Sequence, residues 1–153
     1  MRALELKIPP PAVALLIAAA MWGISRVTPM VDVPTLARAI LGVALAVAGV
    51  GIALAGSFTF RRAGTTVNPF KPETATALVT SGVYRYTRNP MYVGLGLLLL
   101  GWAAYLCSIP AFLCLPVFIW YLDRFQIAPE ERALTALFGA TYTDYQARVR
   151  RWL

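Results

Sequence analysis

Three long stretches without a charged residue constrain the fold of this chain more than any other feature. They contain 18, 22 and 32 residues and cover residues 8–25, 39–60 and 91–122. One helix needs about 20 apolar residues to cross a hydrocarbon core of about 30 Å, so the first two stretches each predict one span. The third is too long for one span. A break at residues 107–110, where a proline suits the first turn of a returning helix, predicts a helical hairpin there.

The sequence therefore predicts an all-α integral membrane protein with four transmembrane helices, the third and fourth forming the hairpin. The predicted spans lie at about residues 8–28, 36–60, 90–107 and 109–128. A cytoplasmic loop, residues 61–89, and C-terminal cytoplasmic helices, residues 129–153, are expected to cap the bundle. All of these segments form a single domain, residues 1–153.

Local signals mark the ends of several helices. Asn89 suits the N-cap of the third span and Pro90 its first position. Pro129 is expected to start a separate helix, with Glu130 and Glu131 in a first turn that favours carboxylates. The last predicted helix begins near residue 141 and carries apolar side chains at near-helical spacing up to the C-terminus. Such a helix would lie on the membrane surface or fold over the loop.

The distribution of basic residues predicts the orientation. Twelve of the 14 Lys and Arg residues lie in the N-terminal segment, in residues 61–89 and in residues 123–153. Four spans place all three segments on one side, and basic loops favour the cytoplasm. We therefore expect a multi-pass protein of the inner or plasma membrane with both termini cytoplasmic. The first apolar stretch could be mistaken for a signal peptide, but an uncleaved anchor is the better interpretation.

Charge and residue types exclude other classes of function. The net charge of +7 follows from the topology signal, so we expect no nucleic-acid partner, although membrane lipids with anionic headgroups are expected contacts. The chain has no histidine, and its two cysteines, Cys107 and Cys114, are expected to be packing residues. The sequence therefore predicts no metal site and excludes a histidine-based catalytic triad.

Three polar clusters are expected at the cytoplasmic edge of the membrane: residues 82–92, residues 123–124 and residues 130–131. The predicted hairpin returns the fourth span beside the start of the third, so these clusters would lie at similar depth. Ionisable residues at such a depth are paired or functional. The alternatives are an ordinary set of interfacial salt bridges, a belt of interfacial tyrosines and simple first-turn helix charges.

Two ordered motifs resemble a known family. The first is Leu78-Val79-Thr80-Ser81-Gly82-Val83-Tyr84, followed by Arg88-Asn89-Pro90, Tyr92 and Gly94. The second begins at Glu130-Glu131 and continues through Leu134, Phe138-Gly139, Tyr142 and Tyr145. Together they resemble the signature of the isoprenylcysteine carboxyl methyltransferase and phospholipid methyltransferase superfamily. The resemblance covers residues 77–152, about half of the chain.

The resemblance implies an integral membrane enzyme whose cofactor, S-adenosylmethionine, lies under the cytoplasmic loop and the C-terminal segment. A lipophilic or prenylated substrate would enter from the bilayer. Transferred position by position, the implied cofactor contacts are Thr76, Ala77, Leu78, Val79, Tyr84, Asn89, Pro90, Met91, Tyr92 and Glu130. Two positions depart from the family pattern: Asn89 stands where histidine is common, and the basic substrate-binding position aligns nearer Gln126 than Arg124.

The chemistry of methyl transfer adds catalytic candidates. A carboxylate acceptor needs no base but needs a cation to hold it, and Arg124 or Arg88 could serve. An amine acceptor must be neutral, and Glu131 or Asp123 could assist its deprotonation. We expect carboxyl O-methylation of a prenylcysteine-type acceptor. The alternatives are N-methylation of a phospholipid or small lipophile, a nicotinamide-dependent membrane reductase, and a non-enzymatic accessory protein. The sequence leaves the oligomeric state open.

Overall fold

The computed structural model describes residues 5–64 and 76–153. In these residues the chain is all-helical, as predicted. Residues 65–75, part of the predicted loop 61–89, lie outside the described residues. The five helices are α1 (Pro10–Val27), α2 (Thr35–Arg62), α3 (Pro90–Leu106), α4 (Ile109–Phe138) and α5 (Ala140–Arg148), with a 3₁₀ turn at Gly82–Arg85 before α3.

Three of the helices are long and apolar enough to cross a membrane: α1, α2 and α4. The chain is therefore a multi-pass membrane protein. Helix α3 is also apolar, but its 17 residues make it shorter than the other three. Two residues separate it from α4, and one of them, Cys107, has a left-handed backbone with φ of 50°. The predictions of four spans and of a transmembrane hairpin depend on whether α3 crosses the membrane.

Helices α2 and α3 touch through glycines. A Cβ atom added to Gly94 would lie 2.5 Å from the carbonyl oxygen of Gly49, and one added to Gly101 would lie 2.7 Å from that of Gly42. Small residues let membrane helices approach closely enough for backbone contact. This contact fixes α3 against α2 and thereby sets the position of the residues at the start of α3.

The core of the bundle lies between α1, α3 and α4. Its most deeply buried side chains are Met21, Ala103, Ala111, Phe118, Leu122 and Ile127. The indole N–H of Trp102 donates to the carbonyl of Ala18 at 3.0 Å, which ties α3 to α1. The hydroxyls of Thr28 and Ser108 lie 2.8 Å apart and connect the end of α1 to the start of α4.

Helix α4 contains one π turn, at Asp123–Ile127. An α-helical segment does begin at Ala128, with Pro129 in its first turn, but it continues α4 instead of starting a separate helix. Proline has no N–H to offer the carbonyl four residues earlier, and the wider π turn relieves its clash with that carbonyl. The carbonyl concerned, that of Phe125, accepts the N–H of Leu6 at 3.0 Å.

The C-terminal end differs from the predicted long helix. Helix α5 ends at Arg148, and Val149 is extended with φ of −122° and ψ of 131°. Gly139, with φ of 53°, makes the turn between α4 and α5. Residues 149–153, which we call the C-terminal tail, therefore leave the helix and run back over the bundle.

Candidate active site

A network of two arginines and two carboxylates connects the start of α3, the middle of α4 and the C-terminal tail. Arg88 Nη2 lies 3.0 Å from Glu131 Oε1, and Arg151 Nη2 lies 2.5 Å from Glu131 Oε2. Arg151 also contacts Asp123 Oδ1 at 3.4 Å. The side chains of Arg88 and Glu131 are only 11% and 14% exposed. Charge-assisted, two-point contacts of this kind fix both position and orientation of the groups.

The C-terminal tail is held by its backbone as well as by its side chains. Thr87 Oγ1 and Asn89 Nδ2 both donate to the carbonyl of Arg151, at 3.2 and 2.9 Å. The N–H of Arg88 donates to the carbonyl of Arg150 at 3.0 Å. The indole N–H of Trp152 donates to Asp123 Oδ1 at 3.2 Å. The tail thus forms one wall of the region around Arg88 and Glu131.

Asn89 occupies the N-cap position of α3, as predicted, but its side chain makes no capping hydrogen bond. Its amide instead holds the tail. The backbone N–H of Asn89 donates to Thr87 Oγ1 at 3.2 Å. The Asn89 side chain therefore acts on the C-terminal tail.

A second polar pair lies beside the arginine network. Tyr92 Oη donates to Glu130 Oε1 at 2.5 Å, joining the first turn of α3 to α4. Tyr92 is buried and Glu130 is half-buried. Because Glu130 and Glu131 are adjacent on α4, the Tyr92 pair and the Arg88 pair lie next to each other. The structure thus brings together four residues that the sequence placed in one site.

Buried tyrosines surround these two pairs. Tyr84 is 4% exposed, and its ring packs edge-on against Phe60 with centroids 5.1 Å apart. Tyr145 Oη donates to the Tyr84 carbonyl at 2.7 Å. Burial, with smaller effects of Tyr145 and Glu130, raises the pKa of Tyr84 far above its usual value. Burial raises the pKa of Tyr145 to about 12 although nearby Arg88 lowers it. Both hydroxyls are therefore neutral hydrogen-bond groups at physiological pH.

Two hydrogen-bond donors in this region have no described partner. Tyr84 Oη and Arg88 Nε are both buried and form no hydrogen bond within residues 5–64 and 76–153. Tyr84 lies close enough to Glu130 and Tyr92 to interact with both electrostatically. Buried polar groups almost always have partners, so these two donors without described partners are candidates to bind a polar ligand.

The remaining predicted cofactor residues line the approach to α3. Val79 is buried, Ala77 and Leu78 are half-buried, and Thr76 is exposed. Pro90 is buried near Gly56 of α2, at 3.0 Å from a Cβ built on that glycine. Met91 is half-buried, and its sulfur accepts the Ser57 hydroxyl at 3.5 Å. All of these residues lie in the segment 76–91, which contacts α2 through Pro90 and Met91.

Arg124 does not join the network. Its side chain is 45% exposed, and its guanidinium lies 3.9 Å from Glu5 of the N-terminal segment. Gln126, the position nearest the expected basic residue, is fully buried and donates to the carbonyl of Ile8 at 2.6 Å. Arg124 and Gln126, two residues of the π turn, therefore contact the N-terminal segment and not the network.

Arg151 is a member of the network that the sequence motifs do not include. The network raises the pKa of Arg151, chiefly through its hydrogen bond to Glu131. The basic and aromatic side chains of the run Arg150-Arg151-Trp152 indicate an ordered C-terminus, but the run was interpreted as part of the last predicted amphipathic helix. Only the extended backbone from Val149 onward turns Arg151 towards Glu131.

The sequence matches the model of a known protein family. The family model for phospholipid methyltransferases matches residues 37–141, more than half of the chain. An uncharacterized protein of Haemophilus influenzae is 44% identical over 63 residues, which are 41% of this chain and all of that protein. No solved structure matches the chain.

Longer relatives carry a named activity. The protein-S-isoprenylcysteine O-methyltransferase of Schizosaccharomyces pombe is 35% identical over 72 residues, 47% of this chain and 30% of that enzyme. Protein-S-isoprenylcysteine O-methyltransferase A of Arabidopsis thaliana is 31% identical over 108 residues, 71% of this chain and 55% of that enzyme. The chain thus spans about a third to a half of the length of these two relatives.

Proposed function

The chain belongs to the phospholipid methyltransferase family, and from this membership we propose that it methylates an amphiphilic acceptor with S-adenosylmethionine. The observation that carries the proposal is the pair of buried donors, Tyr84 Oη and Arg88 Nε, left without described partners beside the Tyr92–Glu130 pair. A bound polar ligand would satisfy both donors and remove the cost of leaving them unpaired.

The residues around these donors fit S-adenosylmethionine. When bound, this cofactor supplies a methyl group activated by a sulfonium. The half-buried carboxylate of Glu130 suits a cationic group, and Tyr92 fixes the orientation of that carboxylate. The rings of Tyr84 and Tyr92 offer aromatic faces, which also favour cations. Residues 76–79 and 89–91 are proposed to form the adjoining wall.

We favour Arg88 over Arg124 as the cation that holds a carboxylate acceptor. Arg88 is largely buried and is held in place by Glu131, and its Nε has no hydrogen-bond partner in residues 5–64 and 76–153. Arg124 is exposed and lies near Glu5. A carboxylate is already ionised at neutral pH, so its methylation requires alignment and desolvation but no base. Glu131 is then a positioning residue that orients Arg88 and Arg151.

The acceptor proposed first is a prenylcysteine-type carboxylate, which would enter from the bilayer. Two named relatives support it, since both are protein-S-isoprenylcysteine O-methyltransferases. N-methylation of a phospholipid or small lipophile is the second candidate, because two half-buried carboxylates, Glu130 and Glu131, could take up the proton that an amine must lose.

Calorimetric titration of the purified chain tests cofactor use. We expect saturable binding of S-adenosylmethionine and of S-adenosylhomocysteine, strongly weakened in Glu130→Gln, which keeps the shape and removes the charge. Asp144→Asn is the matched control, because Asp144 is exposed on α5. If the folded protein binds neither compound, the methyltransferase proposal is wrong and the reductase and accessory alternatives return.

Transfer of a labelled methyl group then identifies the acceptor. A carboxyl methyl ester releases methanol in mild base, whereas an N-methyl group does not. We expect base-labile label on a farnesylated cysteine and none on phosphatidylethanolamine. Base-stable label on the lipid amine would instead establish the N-methyltransferase alternative.

A further inference from the structure

A polar cavity lies at the opposite end of the bundle from Tyr92 and Glu130. Its volume is about 490 Å³, and it opens between the end of α1, the start of α2 and the end of α3. Tyr92 and Tyr105 are both on α3, 13 residues apart, which corresponds to about 20 Å along a helix. The cavity is therefore separate from the candidate active site.

Two arginines line this cavity, and both lie over aromatic rings. The guanidinium of Arg26 is 5.9 Å from the ring centroid of Trp22, and that of Arg38 is 5.5 Å from the ring of Tyr105. Trp102 stacks on Tyr105 at 5.7 Å and extends the aromatic wall. The rings hold the cations in place without neutralising their charge.

Neither arginine has an acidic partner in residues 5–64 and 76–153, where every ion pair lies at the other end of the bundle. The cavity lining also contains no Asp or Glu. Arg38 Nε is buried and unpartnered within those residues, and Arg38 Nη2 reaches Thr35 Oγ1 only at 3.5 Å. Two arginines without an ion pair in those residues, together with a buried donor that has no partner there, indicate an anionic ligand with several oxygen acceptors.

We propose that this cavity binds the phosphate of an anionic membrane lipid, with Arg26 and Arg38 contacting its oxygens. The surroundings favour a phosphate carried by a lipid over free phosphate in solution. Trp22 and Met30 are exposed at the rim, and the neighbouring Val27 and Leu36 are among the most exposed apolar residues. Apolar surface beside a basic pocket between helices accommodates an acyl chain next to its headgroup.

The proposal does not depend on methyl transfer, and its test needs no cofactor. The full chain is reconstituted in nanodiscs of phosphatidylcholine containing brominated phosphatidylglycerol, and quenching of tryptophan fluorescence reports the bound lipid. We expect saturable quenching, with the apparent affinity lowered about tenfold in Arg38→Gln, the loss of one charge-assisted contact. Arg26→Gln should act in the same direction and, being exposed, remains testable if Arg38→Gln does not fold.

Arg62→Gln is the matched control for Arg38→Gln, because it removes one exposed charge from the other end of α2. An equal loss of affinity in Arg62→Gln and Arg38→Gln would mean diffuse attraction to the membrane and overturn the site. Unchanged binding in both Arg26→Gln and Arg38→Gln would also overturn it. Inorganic phosphate at millimolar concentration should not reverse the quenching. If it does so completely, the ligand is free phosphate and the assignment to a lipid is wrong.

Discussion

The hydrogen bond from Tyr92 to Glu130 joins α3 to α4 beside Tyr84 Oη and Arg88 Nε, the two donors of the candidate active site without a described partner. Tyr92→Phe removes only the hydroxyl and leaves the ring. A hydrogen bond to a charged group contributes about 1.5–3 kcal/mol, so freeing the Glu130 carboxylate from its fixed orientation should weaken cofactor binding about tenfold or more. Titration of the variant with S-adenosylhomocysteine measures this loss directly.

Tyr121→Phe is the control for this experiment. The Tyr121 hydroxyl is also buried, but it has no hydrogen-bond partner in the described part of the chain. Its removal should leave binding unchanged. Equal affinities for Tyr92→Phe and the wild type would show that Tyr92 does not orient the cofactor site.

Arg151 connects the C-terminal tail to Glu131 and Asp123, and its removal should destabilise the tail. The side chain is 36% exposed, so solvent screening reduces the energy of these contacts, and we expect a loss of about 1 kcal/mol for Arg151→Gln. Arg150→Gln, at an exposed neighbouring position, should have almost no effect. Thermal unfolding in detergent compares the two variants, and 1 M salt should narrow the difference between them. Equal stability of both variants at low salt would contradict the role of the network.

The sequence could predict some of these residues and not others, for a physical reason. Arg88, Tyr92, Glu130 and Glu131 lie in motifs whose order and spacing indicated a shared site, and the structure pairs them. Arg151 reaches the same place only because the chain leaves the helix at Val149. That exit depends on hydrogen bonds from residues 87–89, more than 60 positions away, which local spacing does not encode.

At the scale of helices, the contact of α2 with α3 depends on close approach of their backbones. A methyl group at Gly94 would lie 2.5 Å from the Gly49 carbonyl and 2.8 Å from the Ala53 side chain, so Gly94→Ala must push the helices apart. We expect a clear fall in thermal stability, with weaker cofactor binding because Tyr92 lies in the same helical turn as Gly94. Overpacking of this kind costs about 1–3 kcal/mol.

Gly96→Ala is the matched control, two residues further along the same helix. Nothing lies within 4 Å of a Cβ atom at Gly96, so the substitution should be neutral or slightly stabilising. If Gly94→Ala and Gly96→Ala melt at the same temperature, the two helices are not in backbone contact in the membrane.

The positions of helices were predictable where they depend on the length and apolar composition of a segment. They were less predictable where they depend on hydrogen bonds between distant segments. The uncharged stretches located α1, α2 and the apolar parts of α3 and α4. The π turn was not predicted, because Pro129 reads as a helix start in isolation. Within α4 the missing N–H of Pro129 is compensated by Leu6, which donates to the Phe125 carbonyl from the far end of the chain.

At the scale of the whole molecule, the two ends of the bundle carry different chemistry. One end collects most of the carboxylates of residues 5–64 and 76–153, together with paired arginines and buried tyrosines, and it adjoins most of the basic residues of the chain. The other end has two arginines, neither with an acidic partner in residues 5–64 and 76–153, and the exposed Asp32 of the segment between α1 and α2. Basic residues favour the cytoplasmic side, so we expect the candidate active site to face the cytoplasm and the phosphate cavity to face away from it.

Whether α3 crosses the membrane decides the topology, and two engineered cysteines can test it. Residues 32 and 147 are both exposed, and α2, α3 and α4 lie between them. In a background with Cys107→Ser and Cys114→Ala, a membrane-impermeant maleimide should label Asp32→Cys in intact cells. Ala147→Cys should be labelled only after lysis, and lipid-facing Ala48→Cys in neither case.

Three spans between the two sites place them on opposite sides, whereas a surface-lying α3 would leave two spans and put them on the same side. Identical labelling of Asp32→Cys and Ala147→Cys in intact cells would therefore overturn the four-span topology while leaving the five-helix fold unchanged.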